Sequence, residues 1–240
     1  MRRGIQWPSP HTRATNSVLR ALSLKENQRL LAHSEQANLV HGDVLCEPGE
    51  PIRHVYFPND AIISLLTPVD GHASVEVGLV GREGMAGMGL FLGIGVSPEL
   101  MLVQGSGTAT RMKAASFCNE IKRNPTLQLE LSHYLYAFMA QAAQTAACSR
   151  HHLLVARLAR RLLMTLDRVR LNEFYLTHKF LAHMLGVRRV GVTKAATLLQ
   201  NKKLIRYSRG HITILDRKGL ERASCRCYGT VKDIRDRMLD

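Results

Sequence analysis

The stretch Leu176–Leu215, LTHKFLAHMLGVRRVGVTKAATLLQNKKLIRYSRGHITIL, contains the signals that decide the fold of the C-terminal region. Thr177 is suited to cap a first helix, because its hydroxyl precedes an apolar pattern at helical spacing. Gly186 follows that pattern, where a tight turn between two helices needs a left-handed residue. A second helix is predicted over residues 187–201, so the stretch is typical of a helix-turn-helix.

Two short strand-like segments follow the second helix. Residues 204–207 and 212–215 are separated by Ser208-Arg209-Gly210, a turn sequence. The hairpin places the cation of Arg209 at its tip, which indicates a wing beside the phosphates of bound DNA. The sequence therefore predicts a winged helix.

The first turns of the second helix carry side chains of the types that read DNA. The helical spacing that buries Val192 and Leu199 exposes Arg188, Arg189 and Lys194. Long cationic side chains at the N-terminal end of such a helix can reach into a major groove. These residues predict a DNA-binding regulator.

Positive charge is concentrated in the same part of the chain. The 240 residues include 33 Lys and Arg against 19 Asp and Glu, a formal net charge of +14. Residues 151–240 hold 20 of the basic and 7 of the acidic residues, which is nearly all of the net charge. A nucleic-acid-binding domain joined to a neutral domain would produce this segregation. A membrane-surface domain is the competing explanation, but no amphipathic segment with a basic rim supports it.

Targeting and cysteine signals favour a cytoplasmic protein. The N-terminal MRRGIQWPSPHTR lacks the apolar core of a secretory signal, and no run of about 18 apolar residues predicts a membrane span. The five cysteines are odd in number and scattered, which does not fit a disulfide framework. Cys225 and Cys227 have the wrong spacing for a zinc knuckle and no nearby partner pair, so no metal site is predicted. A redox-active thiol pair is the alternative to inert cysteines.

The N-terminal half divides into an arm, a helix and a β-rich segment. Residues 1–16 are expected to form a loose arm, and the apolar pattern predicts a helix over 16–37. Short β-type runs divided by turns, such as Gly105-Ser106-Gly107, extend from residue 41 to 110. This spacing predicts a small β-sandwich or roll.

Three helices are predicted between the β-rich segment and the helix-turn-helix, over residues 113–122, 126–150 and 153–168. The second contains neither Gly nor Pro, and two apolar rows recur along it at heptad spacing. Such rows favour packing against a second copy of the same helix. The alternative is a helix that packs on its own β domain. The predicted dimer-interface residues are Leu131, Leu135, Phe138, Ala142 and Thr145.

This order of elements resembles the cyclic-AMP receptor protein/FNR (Crp/Fnr) family of bacterial transcription regulators. The likeness covers about residues 17–220 and is strongest in Leu176–Thr213, PGEPIRHVYFPNDAIISLL and VEVGLVGREGMAGMGLFLG. It implies an α+β fold with an N-terminal double-stranded β-helix or β-roll of the cyclic-nucleotide-binding type, a long dimerisation helix and a C-terminal winged helix-turn-helix. The implied domains are a flexible arm (1–16), a β-roll sensor domain (17–125), the dimerisation helix and hinge (126–152) and the DNA-binding domain (153–240).

The resemblance also implies which residues contact DNA. Where cyclic-AMP-binding members have Ser-Arg-Glu-Thr-Val-Gly-Arg, this chain reads RRVGVTK from Arg188. Arg189 keeps a base-reading position, where guanine O6 and N7 can accept two hydrogen bonds. Val190 and Lys194 replace the other two base readers, so the operator half-site is expected to differ from the family consensus. The implied DNA-contacting residues are Thr177, His178, Arg188, Arg189, Val190, Thr193, Lys194 and Arg209, of which Thr177 and Arg188 fall on phosphate-contacting positions.

The effector pocket departs further from the family. Cyclic-AMP-binding members carry Gly-Glu for the ribose and Arg-Ser for the phosphate, whereas this chain has Ala86-Gly87 and no arginine over residues 96–100. An anionic phosphate buried without a cation is unfavourable. Ala142-Ala143 also replaces the hydroxyl side chains that face the adenine. Cyclic AMP is therefore disfavoured, and so is an iron–sulfur cluster, because only Cys46 precedes residue 100.

A glycine-rich loop is the remaining candidate for an effector site. Its glycines permit a tight turn with inward N–H groups, which suits an anion or a small polar ligand. The alternative is an ordinary loop of the roll. The effector is unknown and no cofactor is predicted. The candidate pocket residues are Gly81, Glu83, Gly84, Met85 and Gly87.

These observations predict a homodimeric, sequence-specific DNA-binding transcription regulator and not an enzyme. The expected partners are double-stranded DNA, a second copy of the chain and RNA polymerase, with no membrane partner. A ligand-independent or non-specific nucleic-acid-binding protein is the main alternative. A metal-dependent cupin-like enzyme would need clustered His and carboxylate ligands, and no H-x-H arrangement is present.

Overall fold

The computed structural model describes residues 16–70, 72–169 and 171–239. The predicted arm lies outside the described residues except for Asn16. Two large apolar cores form, one in the N-terminal β domain and one in the C-terminal domain. No helix in the described ranges has the length and apolar character needed to cross a membrane.

Two short helices and a strand replace the single helix predicted over residues 16–37, so that prediction is wrong. The Ser23 hydroxyl accepts a hydrogen bond from the Glu26 N–H, and the Glu26 carboxylate accepts one from the Ser23 N–H. This capping box starts a new helix at a point that the apolar pattern does not reveal. The helices are α1 (Ser17–Ala21) and α2 (Leu24–Leu31).

The β domain is a roll of two antiparallel sheets, which confirms the predicted fold class. Its strands are β1 (Ser34–Leu39), β2 (Val44–Cys46), β3 (His54–Pro58), β4 (Ile62–Val69), β5 (His72–Val80), β6 (Leu100–Gly105) and β7 (Gly107–Lys113). One sheet has the order β1-β7-β3 and the other β2-β6-β4-β5. Buried side chains from both sheets, such as Phe57, Met101 and Met112, form the core between them.

Two helices follow the roll: α3 (Ala114–Ile121) and α4 (Pro125–His151). Asn124 caps α4, because its side-chain oxygen accepts a hydrogen bond from the Leu127 N–H at 3.0 Å. Pro125 occupies the first turn, where its missing N–H is not needed. The first half of α4 then packs on the roll core through Leu127 and Tyr134, which are buried.

The C-terminal domain contains the predicted winged helix-turn-helix and two further helices that were not predicted. Its elements are α5 (Leu154–Leu166), β8 (Glu173–Tyr175), α6 (His178–Leu185), α7 (Arg189–Asn201), β9 (Ile205–Ser208), β10 (His211–Ile214), α8 (Arg217–Ala223) and α9 (Cys227–Leu239). Gly186 ends α6 in the left-handed conformation, with φ +62°, as predicted. Strands β8, β10 and β9 form a small sheet, and α9 packs along α4.

Buried ion pairs join the C-terminal domain to the roll, and we call this contact the domain junction. A guanidinium nitrogen of Arg161, on α5, lies 2.7 Å from the Glu76 carboxylate on β5, and both side chains are buried. Gln104 on β6 accepts a hydrogen bond from the same guanidinium. Arg168 pairs with Glu83 in a second buried contact. Burial raises the pKa of Glu76 and lowers that of Arg161, because desolvation disfavours both charged forms.

Candidate DNA-contacting surface

Local signals position the two helices of the motif. The Thr177 hydroxyl accepts a hydrogen bond from the Phe180 N–H at 3.1 Å, which confirms the predicted N-cap. Arg188 occupies the N-cap position of α7, and its side chain makes no capping hydrogen bond. The predicted inner face of α7 is buried against the domain core and consists of Val192, Ala195, Ala196 and Leu199.

The outer face of α7 is open to solvent along its first turns. Arg188, Arg189, Thr193 and Lys194 are exposed, and Val190 is 60% exposed. Within the described ranges, none of the three cations takes part in a salt bridge. The surface therefore offers unpaired cations for phosphates or guanine, and a branched apolar side chain for a thymine methyl group.

His178 is held against the wing and against α7. Its ring stacks on Tyr207 with centroids 4.1 Å apart and an interplanar angle of 17°. Its Nδ1 lies 3.0 Å from the Thr193 hydroxyl. Burial, followed by the nearby Arg189 cation, lowers the pKa of His178, which favours a neutral ring. The predicted DNA-contacting residues His178 and Thr193 are thus within hydrogen-bonding distance of each other.

The wing tip has the geometry that a tight hairpin requires. Arg209 has φ +49° and Gly210 has φ +90°, between the paired strands β9 and β10. The Arg209 side chain is exposed. Its cation lies at the turn of the hairpin, as the sequence predicted.

The predicted effector loop is packed rather than open. The Glu83 carboxylate is paired with Arg168, and a Cβ added at Gly84 would overlap the ring of Tyr134 on α4. Met85 is fully buried in the roll core. An effector site at this loop stays a prediction, and a ligand there would have to displace Tyr134 or Arg168.

The predicted dimer-interface row on α4 faces the interior in part. Leu131 is fully buried in the core of its own roll, and the ring of Phe138 packs directly on Gly78 of β5. Leu131 is therefore unavailable to a partner, so its assignment to the interface is wrong, whereas the assignment of half-buried Phe138 stays a prediction. Heptad spacing identifies an apolar row but not the surface that covers it. The remaining predicted residues, Leu135, Ala142 and Thr145, are half-buried.

A different row of α4 is exposed, and we call it the outer face of α4. It contains Leu129, Tyr136 and Met139, whose exposed fractions are 55%, 57% and 61%. Leu129, Tyr136 and Ala143 fall seven residues apart, and Ser132, Met139 and Ala146 form the adjacent heptad row. This spacing is that of a helix seam.

The structure also assembles a Cys/His cluster that the sequence did not predict. Cys148 and His152, at the C-terminal end of α4, meet Cys225 and Cys227. The expectation that the two tail cysteines lack a nearby partner pair is therefore wrong. The four-residue spacing of Cys148 and His152 is a weak signal for such a pair, because it places both on one helix face.

Comparison with known proteins identifies the DNA-binding domain. Residues 156–223 match the family model of the Crp-like helix-turn-helix domain. This match confirms the resemblance for the C-terminal region: residues 156–223 form a Crp-like helix-turn-helix domain, a type of domain that binds DNA. The match to a Crp-like helix-turn-helix domain favours a DNA-binding regulator over the cupin-like enzyme. No curated protein sequence matches the chain.

Solved structures share the fold over most of the chain. A CRP-family regulator from Thermus thermophilus is 16% identical, with a TM-score of 0.66 over 78% of this chain and 96% of that one. A CRP/FNR-family regulator from the same organism is 22% identical, with a TM-score of 0.63 over 79% and 98%. The c-di-GMP-responsive global regulator CLP of Xanthomonas campestris is 16% identical, with a TM-score of 0.64 over 80% and 99%. At these identities the likeness concerns the fold.

Proposed function

We propose that the chain is a homodimeric, sequence-specific transcription regulator whose roll does not bind cyclic AMP in the mode of the cyclic-AMP-binding members. The observation that carries the proposal is the exposed, unpaired cationic face at the start of α7. In this proposal Arg189 reads a guanine, while Arg188 and the wing cation Arg209 contact phosphates. Such a regulator works on chromosomal DNA in the cytoplasm. RNA polymerase remains a further expected partner.

The outer face of α4 supports the homodimer. Large apolar side chains such as Tyr136 and Met139 lie more than half exposed along one side of a helix of 27 residues. Two copies of this face, related by a two-fold axis, would remove it from water and bring the two α7 helices into one complex. Leu135 and Ala142 border the face and stay in the proposed interface.

The segment where the family places its phosphate-binding arginine supports a departure from cyclic AMP. Ser97 is buried, and its hydroxyl donates to the Glu99 carbonyl oxygen at 2.8 Å rather than pointing to an open site. A partly buried carboxylate near a phosphate would repel it, and no arginine in residues 96–100 offsets that charge.

An effector at the glycine-rich loop would act through side chains that already touch the helices. Tyr134 of α4 covers Gly84, and Arg168 pairs with Glu83. A ligand that displaced either contact would favour a different position of the C-terminal domain relative to the roll. Such a switch requires that the ligand bind the two positions with different affinity.

Selection from a random duplex DNA library tests this proposal, with purified chain alone and with cyclic AMP. We expect enrichment of a palindrome whose half-sites lie one helical turn apart, ~34 Å, with the same enrichment in both conditions. The Arg189→Ala variant is the matched control and should lose the preference at one base pair in each half-site. Binding without any enriched sequence would identify a non-specific nucleic-acid-binding protein instead. Enrichment only with cyclic AMP would show that the chain responds to cyclic AMP, and it would overturn the proposal that the roll does not bind this ligand.

A further inference from the structure

The Cys/His cluster lies where the long helix meets the C-terminal tail. Cys148 is in the last turn of α4 and His152 directly follows that helix, whereas Cys225 precedes α9 and Cys227 begins it. The four potential ligand atoms all lie within 4.8 Å of one another. The Cys148 and Cys225 sulfurs are 3.4 Å apart, and the Cys227 sulfur is 3.5 Å from His152 Nδ1.

These distances agree with a tetrahedral metal site. With zinc–sulfur and zinc–nitrogen bonds of ~2.3 and ~2.05 Å, ideal tetrahedral geometry separates two sulfurs by ~3.8 Å and a sulfur from a nitrogen by ~3.6 Å. The Cys148–Cys225 and Cys227–His152 separations in the structure differ from these ideal values by only a few tenths of an ångström. Three thiols and one imidazole form the Cys₃His donor set of structural zinc sites.

The surroundings suit thiolate ligands. All three cysteines are buried, and they pack with Ala156 in an apolar cluster of their own. Thiolates, not thiols, bind metals.

Neighbouring side chains complete the environment of the cluster. The Gln144 amide nitrogen lies 3.0 Å from the Cys227 sulfur, where it can donate a hydrogen bond. Arg157 and Arg160, on α5, act electrostatically on the Cys148 sulfur. A zinc ion with three thiolates and a neutral imidazole carries one net negative charge, which these cations would balance. Such outer partners orient and tune metal ligands.

A disulfide between Cys148 and Cys225 accounts for the cluster less well. Their sulfurs would have to approach from 3.4 Å to ~2.05 Å. The bond would use two of the four groups and would leave Cys227 and His152 without a role. A metal ion uses all four.

We propose that Cys148, His152, Cys225 and Cys227 bind one zinc ion, or a similar thiophilic divalent cation, as a structural site. The ion would tie the end of α4 to the start of α9 across the hinge at Leu153. It would thereby fix the C-terminal domain relative to the long helix. The proposed zinc site does not depend on DNA binding. An experiment can therefore reject the zinc site without rejecting the proposed regulatory function.

Metal content of the 240-residue chain tests the site. The chain would be purified without chelators or an affinity metal, and its zinc measured by mass spectrometry of the elements. We expect about one zinc ion per chain. Cobalt substitution should give the visible absorption bands of a tetrahedral thiolate site, and zinc should displace the cobalt and abolish these bands.

Ligand variants with matched controls locate the ion. Cys227→Ser and His152→Ala should each weaken zinc binding by more than roughly tenfold, since loss of an outer partner alone costs that much. His152 is exposed, so its variant does not depend on repacking a core. Cys46→Ser, a buried cysteine outside the cluster, and His151→Ala, the exposed neighbour, should keep the ion.

Three outcomes would overturn the proposal. The first is a chain that contains no zinc and takes up none when zinc is added to the reduced protein. The second is full zinc retention by both ligand variants. The third is an intact mass, measured without reductant, that shows a Cys148–Cys225 disulfide in the freshly purified protein.

Discussion

The DNA-contacting surface and the interior contacts of the C-terminal domain are built in opposite ways. The surface consists of neighbours on one helix, Arg188 to Lys194, and its cations are exposed and free of salt bridges in the described chain. The interior contacts join buried polar groups from distant segments: Cys148 and Cys225 are 77 residues apart, and Arg161 and Glu76 are 85 apart. The difference implies that surface substitutions should change DNA binding and interior substitutions should change stability.

The largest expected effect is at the domain junction. Arg161→Met leaves the Glu76 carboxylate buried without its cation, which should lower the free energy of unfolding by ~3–5 kcal/mol. Urea denaturation measures this loss. The double variant Arg161→Met/Glu76→Leu should recover most of it, because neither charge of this pair is then left buried without its partner.

A solvent-exposed ion pair provides the control for the junction. Arg111 and Glu35 are 2.8 Å apart, and their side chains are 35% and 55% exposed. Arg111→Met should therefore cost at most about 1 kcal/mol. Equal losses for Arg161→Met and Arg111→Met would contradict a special role of the buried contact.

The outer face of α4 should have the next largest effect, on assembly. Met139→Glu places a charge on a face that we assign to the dimer, and loss of one buried apolar side chain costs ~1.5–3 kcal/mol. We therefore expect dimer dissociation to increase about 10–100-fold, as measured by sedimentation. Met139→Leu keeps the face apolar and should keep the dimer. If the Met139→Glu variant remains a dimer, the dimer interface lies on another surface.

Substitutions at the start of α7 should distinguish a residue that reads a base from one that binds a phosphate. Arg189→Ala should weaken operator binding by ~1–3 kcal/mol and relax the preference at one base pair. Arg188→Ala should weaken binding to all sequences alike and lower the salt slope by about one unit. Titrations over a salt series measure both. If the two variants behave alike, the distinction between the two arginines is wrong.

The smallest effect is expected at the helix cap. Thr177→Ala removes the acceptor of the Phe180 N–H and should lower the free energy of unfolding by ~1 kcal/mol, measured by thermal or urea denaturation. Thr177→Ser keeps the hydroxyl, so its free energy of unfolding should stay close to that of the parent protein. Unchanged stability together with weaker DNA binding would mean that the hydroxyl serves a phosphate rather than the helix.

The same contrast explains which parts were predictable from the sequence. Thr177, Gly186 and the turn at Arg209 act through neighbouring residues, so their spacing was enough to predict the winged helix. The capping box at Ser23 is also a local signal. The apolar pattern continues across it, however, so a single long helix was predicted in place of two short ones. Most strands of the roll lie in the β-rich segment predicted over residues 41–110, because turn residues divide that segment. Strand β1 was missed, since most of it fell within the predicted helix.

Burial of the long helix and the assembly of the Cys/His cluster depend on tertiary packing. Heptad spacing revealed apolar rows on α4, but only the roll and α9 determine that Leu131 is inside and Tyr136 outside. Cys148 and His152 meet Cys225 only because α9 folds back along α4. No local spacing encodes that return.

Hydroxyl-radical footprinting on the selected palindrome tests the central claim most directly, namely that two copies of the α7 surface read DNA together. We expect two equivalent protected tracts centred ~10–10.5 base pairs apart, both of which disappear with Met139→Glu at concentrations where the parent binds fully. A single protected tract that survives Met139→Glu, or protection spread evenly along the duplex, would contradict a dimeric, sequence-specific regulator.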